Sequence, residues 1–235
     1  MTEGPPVLYS EKAKELHAAI VTELSRLCDL QAASCRDEAF RKGFLEIARL
    51  YDLYQEEVLA GSQLTATCSK GCSWCCSHWV DDVYSFEAEL VADYIEKNFP
   101  ERIPDIKRYL EEDRAQLDYL EKMLQEKIAA DHVGEDLDRR DLLLSCFYIL
   151  NRPCILLDVE GACSVYPVRP LTCRIYVSLG PPIECDPETA DEMEPETCIL
   201  DLDKEADALL EKLHDRYDRF DDERGLRALL LKLLP

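Results

Sequence analysis

Four sulfurs fall within nine residues at Cys68-Ser-Lys-Gly-Cys72-Ser-Trp-Cys75-Cys76, and this run constrains the chain more than any other feature. Cysteines separated by two or three residues suit a tetrahedral or cuboidal metal site. A tight turn lets two sulfurs approach one ion at about 2.3 Å while a second segment supplies the remaining ligands. Gly71, directly before Cys72, supports such a turn. Cys154, Cys163 and Cys173 are the candidates for the second segment, with Cys185 and Cys198 just beyond. The side chains of adjacent Cys75 and Cys76 tend to diverge, which favours two sites or a bridged pair over one simple tetrahedron. Twelve cysteines in 235 residues is a lower density than the ~8–10% of small secreted disulfide scaffolds. The opening MTEGPPVLYSEKAKELHAA carries neither a signal nor a transit pattern, so a cytoplasmic setting is expected. In a reducing compartment clustered thiols bind metal or do redox work.

The frame around these cysteines reads as helical. Apolar residues recur every three or four positions at Ala13, Leu16, Ile20, Leu24 and Leu27, then at Phe40, Phe44, Ile47, Tyr51, Tyr54 and Val58. Two helices are expected there, with a break near Cys35 or Gly43. Ser85, followed by Glu87 and Glu89, reads as the cap of a helix that stops before Pro100. Ile103 to Ile128 and Leu137 to Leu150 carry two more helical patterns, and Leu209 to Leu233 a C-terminal helix or helix pair. Prolines and glycines break any period between Cys154 and Pro195, predicting loop with at most short strands. The expected fold is mainly α, a helical bundle around an irregular cysteine-rich metal-binding centre. The expected divisions are an N-terminal helical extension at 1–60, a cysteine-cluster domain with inserted helices at 61–200, and a C-terminal helix at 201–235 packing on the same core.

Charge narrows the partners. The chain has 27 basic and 49 acidic residues, a formal charge of −22, which repels phosphate backbones and anionic headgroups. Nucleic acid and membrane are therefore not expected partners; the most apolar stretch, Leu142 to Leu157, is interrupted by Asn151, Arg152 and Pro153. Three windows, Val58 to Val80, Leu142 to Leu157 and Gly161 to Ile183, contain no Asp or Glu, and they hold eight of the cysteines. Several thiolates around a divalent ion leave net negative charge, which a nearby carboxylate would destabilise and a guanidinium would stabilise. Lys70, Arg152, Arg169 and Arg174 are the basic residues in those windows, and Arg169 and Arg174 are expected to donate N–H groups to the sulfurs. By contrast Glu184 to Glu223 carries 17 acids against 4 bases, a solvated face that a basic protein partner could use.

Cys68-x3-Cys72-x2-Cys75-Cys76, Pro153-Cys154 and Gly161-Ala-Cys163-Ser-Val-Tyr166-Pro-Val-Arg169-Pro170-Leu-Thr-Cys173-Arg174-Ile-Tyr176 together resemble the YkgJ-like CxxCxxCC cysteine-cluster family, a zinc- or iron-chelating domain. The likeness runs from about Cys68 to Cys198. It implies a metal set of Cys68, Cys72, Cys75, Cys76, Cys154, Cys163 and Cys173. For the family's eighth cysteine, Cys185 suits the position better than Cys198, and Cys146 suits it least. The resemblance implies zinc or iron as cofactor, with a 4Fe-4S cluster as one form, and does not separate them, since thiolates suit both.

The expected function is a metal-binding cysteine-cluster protein. The alternatives are an iron–sulfur enzyme related to flagellin lysine methylases, which carry a related cluster, and a thiol redox sensor. No nucleophile–base pair, HExxH or P-loop is present to assign a catalytic residue. Cys28 and Cys35 read as core filler, His78 as a polar neighbour of the cluster, and His17, His132 and His214 as solvated.

Overall fold

The computed structural model describes residues 6–131, 138–189, 195–218, 220 and 225–235. Among these the chain runs α1 (Glu11–Asp29), α2 (Glu38–Gly61), α3 (Ser85–Asn98), α4 (Ile103–Asp131), α5 (Arg139–Ile149), α6 (Thr172–Ile175), β1 (Tyr176–Ser178), β2 (Thr197–Ile199), α7 (Lys204–Tyr217) and α8 (Leu226–Leu233). The fold is mainly helical, as the periodicity predicts. No helix among the described residues is long and apolar enough to cross a membrane. His132 lies outside the described residues, as does part of the acidic run from Glu184 to Glu223.

The first core forms where the stripes of α1 and α2 meet. Ala13, Ile20, Leu24 and Leu27 are buried against Phe40, Phe44, Ile47, Tyr51 and Val58, and α7 adds Ala206, Leu210 and Leu213. The break between α1 and α2 falls at the turn containing Cys35, while Gly43 sits inside α2 at the closest approach of the two helices. A Cβ at Gly43 would stand 2.5 Å from Leu27 Cδ2. Phe86 of α3 meets Phe40 and Phe44 edge-on at 6.0 Å, a geometry worth about 0.5–1.5 kcal/mol beyond area burial. The β1–β2 ribbon is antiparallel, with Val177 opposite Cys198, and both residues join this core. Packing thus runs across all three expected divisions of the chain.

A second core lies between α3, α4 and α8, around Val91, Ile95, Ile106, Leu110, Leu229 and Leu230, and includes Leu156 and Val165 from the irregular segment. A smaller third cluster joins Trp79, Leu117, Leu143, Phe147 and Ala228. The cysteine segments run between these cores.

Two buried acids bind the helices to the irregular centre. Ser85 is the first residue of α3 rather than its cap, and its hydroxyl pairs with His214 Nδ1 at 3.2 Å. The cap is Tyr84, whose N–H donates to the Glu87 carboxylate at 3.2 Å. Glu87, fully buried, also accepts the Leu171 N–H at 2.8 Å and so ties α3 to the turn before Cys173. Asp113 of α4, equally buried, accepts from Arg227 of α8 and from Arg152 after α5.

Breaking a buried ion pair by removing one partner leaves an uncompensated charge. Asp113→Ala should therefore lose about 3–5 kcal/mol in urea unfolding, because Arg227 stays buried without its anion. Burial raises Glu87 from 4.5 to about 7. Since the folded value lies above the unfolded one, its protonated form contributes stability at low pH that is lost as pH rises through about 7. Unfolding measured at about pH 5 and about pH 8 should show the native chain losing stability relative to Glu87→Gln.

Candidate metal centre

The cysteine run is pinned at its start to the ribbon. Thr67 donates its N–H to Ser178 O at 2.9 Å and its hydroxyl to Gly180 O at 2.6 Å. The Ser178 N–H then donates to Cys68 Sγ at 3.3 Å. Gly71, at φ +92°, turns the chain so that Cys72 N–H reaches Ser69 O at 2.9 Å. A 3-10 turn, Trp74–Ser77, then presents Cys75 and Cys76.

The second segment is a tight loop. Ser164 N–H bonds Leu156 O at 2.8 Å and Asp158 N–H bonds Ala162 O at 2.8 Å, bringing Cys163 opposite Leu157. Asp158 Oδ1 accepts the Glu160 and Ala162 N–H groups at 2.9 Å each. The two segments touch at their glycines: a Cβ on Gly161 (φ +77°) would stand 2.8 Å from Gly71 O, and one on Gly71 2.9 Å from Glu160 O. Only residues without side chains permit this approach.

Convergence follows. A cavity of about 280 Å³ is lined by Cys75 and Cys76 from the first segment and by Cys154, Cys163 and Cys173 from the second. A neighbouring cavity of about 550 Å³ is lined by Cys68, Cys72, Cys75, Cys76 and Cys163. Cys75, Cys76, Leu157, Cys163, Arg169 and Tyr176 border both cavities and so form the wall between them. Cys68 is exposed, while Cys72, Cys75, Cys76, Cys154, Cys163 and Cys173 are half-buried. Among the described residues no three His, Cys, Asp or Glu side chains already stand around one point close enough to grip an ion.

Burial governs the thiols. It pushes Cys173 up to about 12 and raises Cys72, Cys163 and Cys185. The vicinal pair behaves differently: a hydrogen bond with Cys76 draws Cys75 down to about 6, with Arg169 assisting, and the same bond holds Cys76 upward. Arg169 faces Cys173, Cys75, Cys76 and Cys163 and hydrogen-bonds Cys75.

Arg174 is engaged elsewhere. Its guanidinium, buried under the Tyr166 ring at 4.8 Å, donates to Arg169 O at 3.0 Å, to Tyr166 O and to Asp52 Oδ1 at 2.7 Å. It holds the 166–174 loop, and through Arg169 O the backbone of the residue that faces the sulfurs. Lys70 approaches Glu160 at 3.5 Å, and Arg152 turns to Asp113. Asp81 and Asp82, just past the first acid-free window, do line the smaller cavity; Asp81 is paired with Arg140.

The downstream cysteines separate. Cys185 lies on the 3-10 turn Pro182–Cys185, packed on the turn that carries Cys75, and its thiol pairs with the Ser178 side chain. Cys198 is buried in the first core, Cys146 is half-buried, and neither they nor Cys185 line either cavity. His78 stacks on Tyr148 at 3.8 Å, and burial lowers its pKa. His17 packs against Tyr54 and His214 against Tyr84.

Sequence reasoning missed Arg227, Ser178 and Tyr148. Arg227 Nη2 donates to Cys76 O at 3.2 Å and to Arg152 O at 2.8 Å, bridging both cysteine segments. Tyr148 donates its hydroxyl to Cys185 O. The one available signal was a lone arginine in the first turn of the apolar helix LRALLLKL.

The donors that border these cavities are sulfurs, soft ligands that suit zinc and iron. The model of a family described as “CxxCxxCC: Putative zinc- or iron-chelating domain” matches residues 67–199. No curated protein and no solved structure matches the chain. With cysteines from both halves of the matched region drawn to one pair of cavities, the chain belongs to the CxxCxxCC family of zinc- or iron-chelating domains.

Proposed function

We propose that the chain is a metal-binding protein whose zinc or iron is held by Cys68, Cys72, Cys75, Cys76, Cys154, Cys163, Cys173 and Cys185. The observation that carries this reading is that Cys75 and Cys76 line the same cavity as Cys154, Cys163 and Cys173, although some 80 residues intervene. A cation entering among these thiols displaces their protons, so binding is coupled to pH and contributes to folding. Arg169 offsets the negative charge that accumulates on the sulfurs. Cys198 falls outside this set because its side chain packs in the first core.

A second reading, an iron–sulfur enzyme, rests on the composition of the smaller cavity. Beside the thiols it is walled by apolar side chains, Trp79, Leu144, Leu156, Val165 and Leu226 among them, with Asp81, Asp82, Arg169 and Arg227 as its charged groups, a space in which a small substrate could sit against the centre.

Protein purified without oxygen should contain stoichiometric zinc, or be brown with iron and acid-labile sulfide. Cys163→Ser and Cys72→Ser should each lower metal content and melting temperature together, and full metal retention by both would overturn the ligand assignment. Arg169→Gln should keep the metal stoichiometry but weaken affinity by roughly 10–100-fold, as read by chelator competition. Metal uptake should release protons, because burial holds Cys72, Cys163, Cys173 and Cys185 protonated in the metal-free chain. Calorimetry in buffers of different ionisation enthalpy reads that release directly.

A further inference from the structure

A further cavity, of about 410 Å³, opens between α2 and α3, and no cysteine lines it. Glu38, Arg41, Lys42 and Leu45 reach it from α2, at the three- and four-residue steps that share one helix face. Leu90, Asp93, Tyr94 and Lys97 do the same from α3. We propose that this cavity binds a small organic monocarboxylate, with its carboxylate on Arg41 and Lys97 and its apolar body against Leu45 and Tyr94.

The charges come first. Three cations line the cavity against two carboxylates, in a chain whose acids outnumber its bases 49 to 27. Lys42 pairs with Glu38 at 2.6 Å. Asp93 serves the other two together, its Oδ2 accepting from Lys97 Nζ at 2.6 Å and from Arg41 Nη1 at 3.3 Å. The neighbouring acids of α3, Glu89 and Glu96, are held by Arg36. One positive charge is left at the cavity, which suits a monoanion better than a divalent one.

The edge of Arg41 that grips carboxylates is also unspent. Arg26 holds Glu23 and Arg49 holds Glu46 through that edge, Nε and Nη2 each on one oxygen at 2.5–2.8 Å. In Arg41 the same Nε is buried with no hydrogen-bond partner among the described residues. A buried donor left unpaired is costly, so an acceptor beside it is favoured. The Arg41 side chain is 33% exposed, and a small rotation turns the Nε–Nη2 edge to an incoming carboxylate. The rest of the wall is apolar. Phe44, Leu90 and Val168 are buried beneath it, while Leu45 stays 39% exposed, a large apolar side chain in reach of a ligand. An apolar surface with a few convergent polar groups, at this volume, is the make-up of a small-ligand site. Inorganic phosphate would use the cations and leave that surface wet.

The full chain, as purified, is titrated with benzoate and with butyrate, followed by calorimetry and by the methyl resonances of Leu45, Leu90 and Val168. One ligand per chain should bind and shift those methyls. Benzamide, with the ring of benzoate but no charge, and inorganic phosphate, with charge but no apolar body, should each bind roughly tenfold more weakly or worse. Arg41→Gln should weaken benzoate by roughly 10–100-fold at an unchanged stoichiometry of metal. Leu45→Glu, which sets a negative charge at the exposed edge, should abolish binding and leave the melting temperature in place. No saturable binding of either carboxylate, equal binding of benzamide, or full affinity in Arg41→Gln overturns the site. Phosphate binding as tightly as benzoate overturns the carboxylate assignment. Should Arg41→Gln fail to fold, Leu45→Glu and the benzoate–benzamide difference still decide.

Discussion

The buried carboxylate of Asp113 is the point on which the arrangement of the centre depends. It holds Arg227 and Arg152 at once, and Arg227 in turn grips the carbonyls of Cys76 and of Arg152, two residues before Cys154. A charge removed from water is tolerated only when paired and hydrogen-bonded. Here that demand fixes the distance between two loops that have no regular structure of their own. The contact of Gly71 with Gly161 then closes the gap from the other side.

Around this clamp the thiols are left in a contradictory state that a cation would resolve. Burial disfavours the thiolate at Cys72, Cys163, Cys173 and Cys185, yet the loops bring sulfurs close enough to feel one another. Arg169 faces Cys173, Cys75, Cys76 and Cys163, while Arg174 spends its donors on carbonyls and on Asp52 to hold the same loop. The pair divides the labour of charge and shape within six residues, an arrangement that explains why a lysine, with its single point charge, would replace neither.

Much of the frame was legible in the chain because helices announce themselves locally. The period of Ile20, Leu24 and Leu27 and the proline after α3 are each read within a few residues. Ser85 misled for the same reason: a good capping side chain was next to the true cap, but His214, from 129 residues away, claimed its hydroxyl. Gly43 misled because a glycine admits both a break and a close helix contact, and only the position of Leu27 decides between them. The acid-free windows anticipated a site poor in carboxylates, yet Asp81 and Asp82 enter it from just outside, where sequence windows have no reach.

The sequence by itself determined the chemistry of the centre, since clustered cysteines spaced two and three residues apart specify soft ligands on tight turns wherever the chain goes. It also determined the helical frame, through periodicity alone. Tertiary structure decided where the sulfurs stand: Cys75, Cys76 and Cys163 on the wall shared by the two cavities, Cys68 held by the Ser178 N–H, and Cys198 withdrawn into the core. Those choices depend on contacts across a hundred or more residues, set by helix packing and by buried charges seeking partners, and no local pattern encodes them.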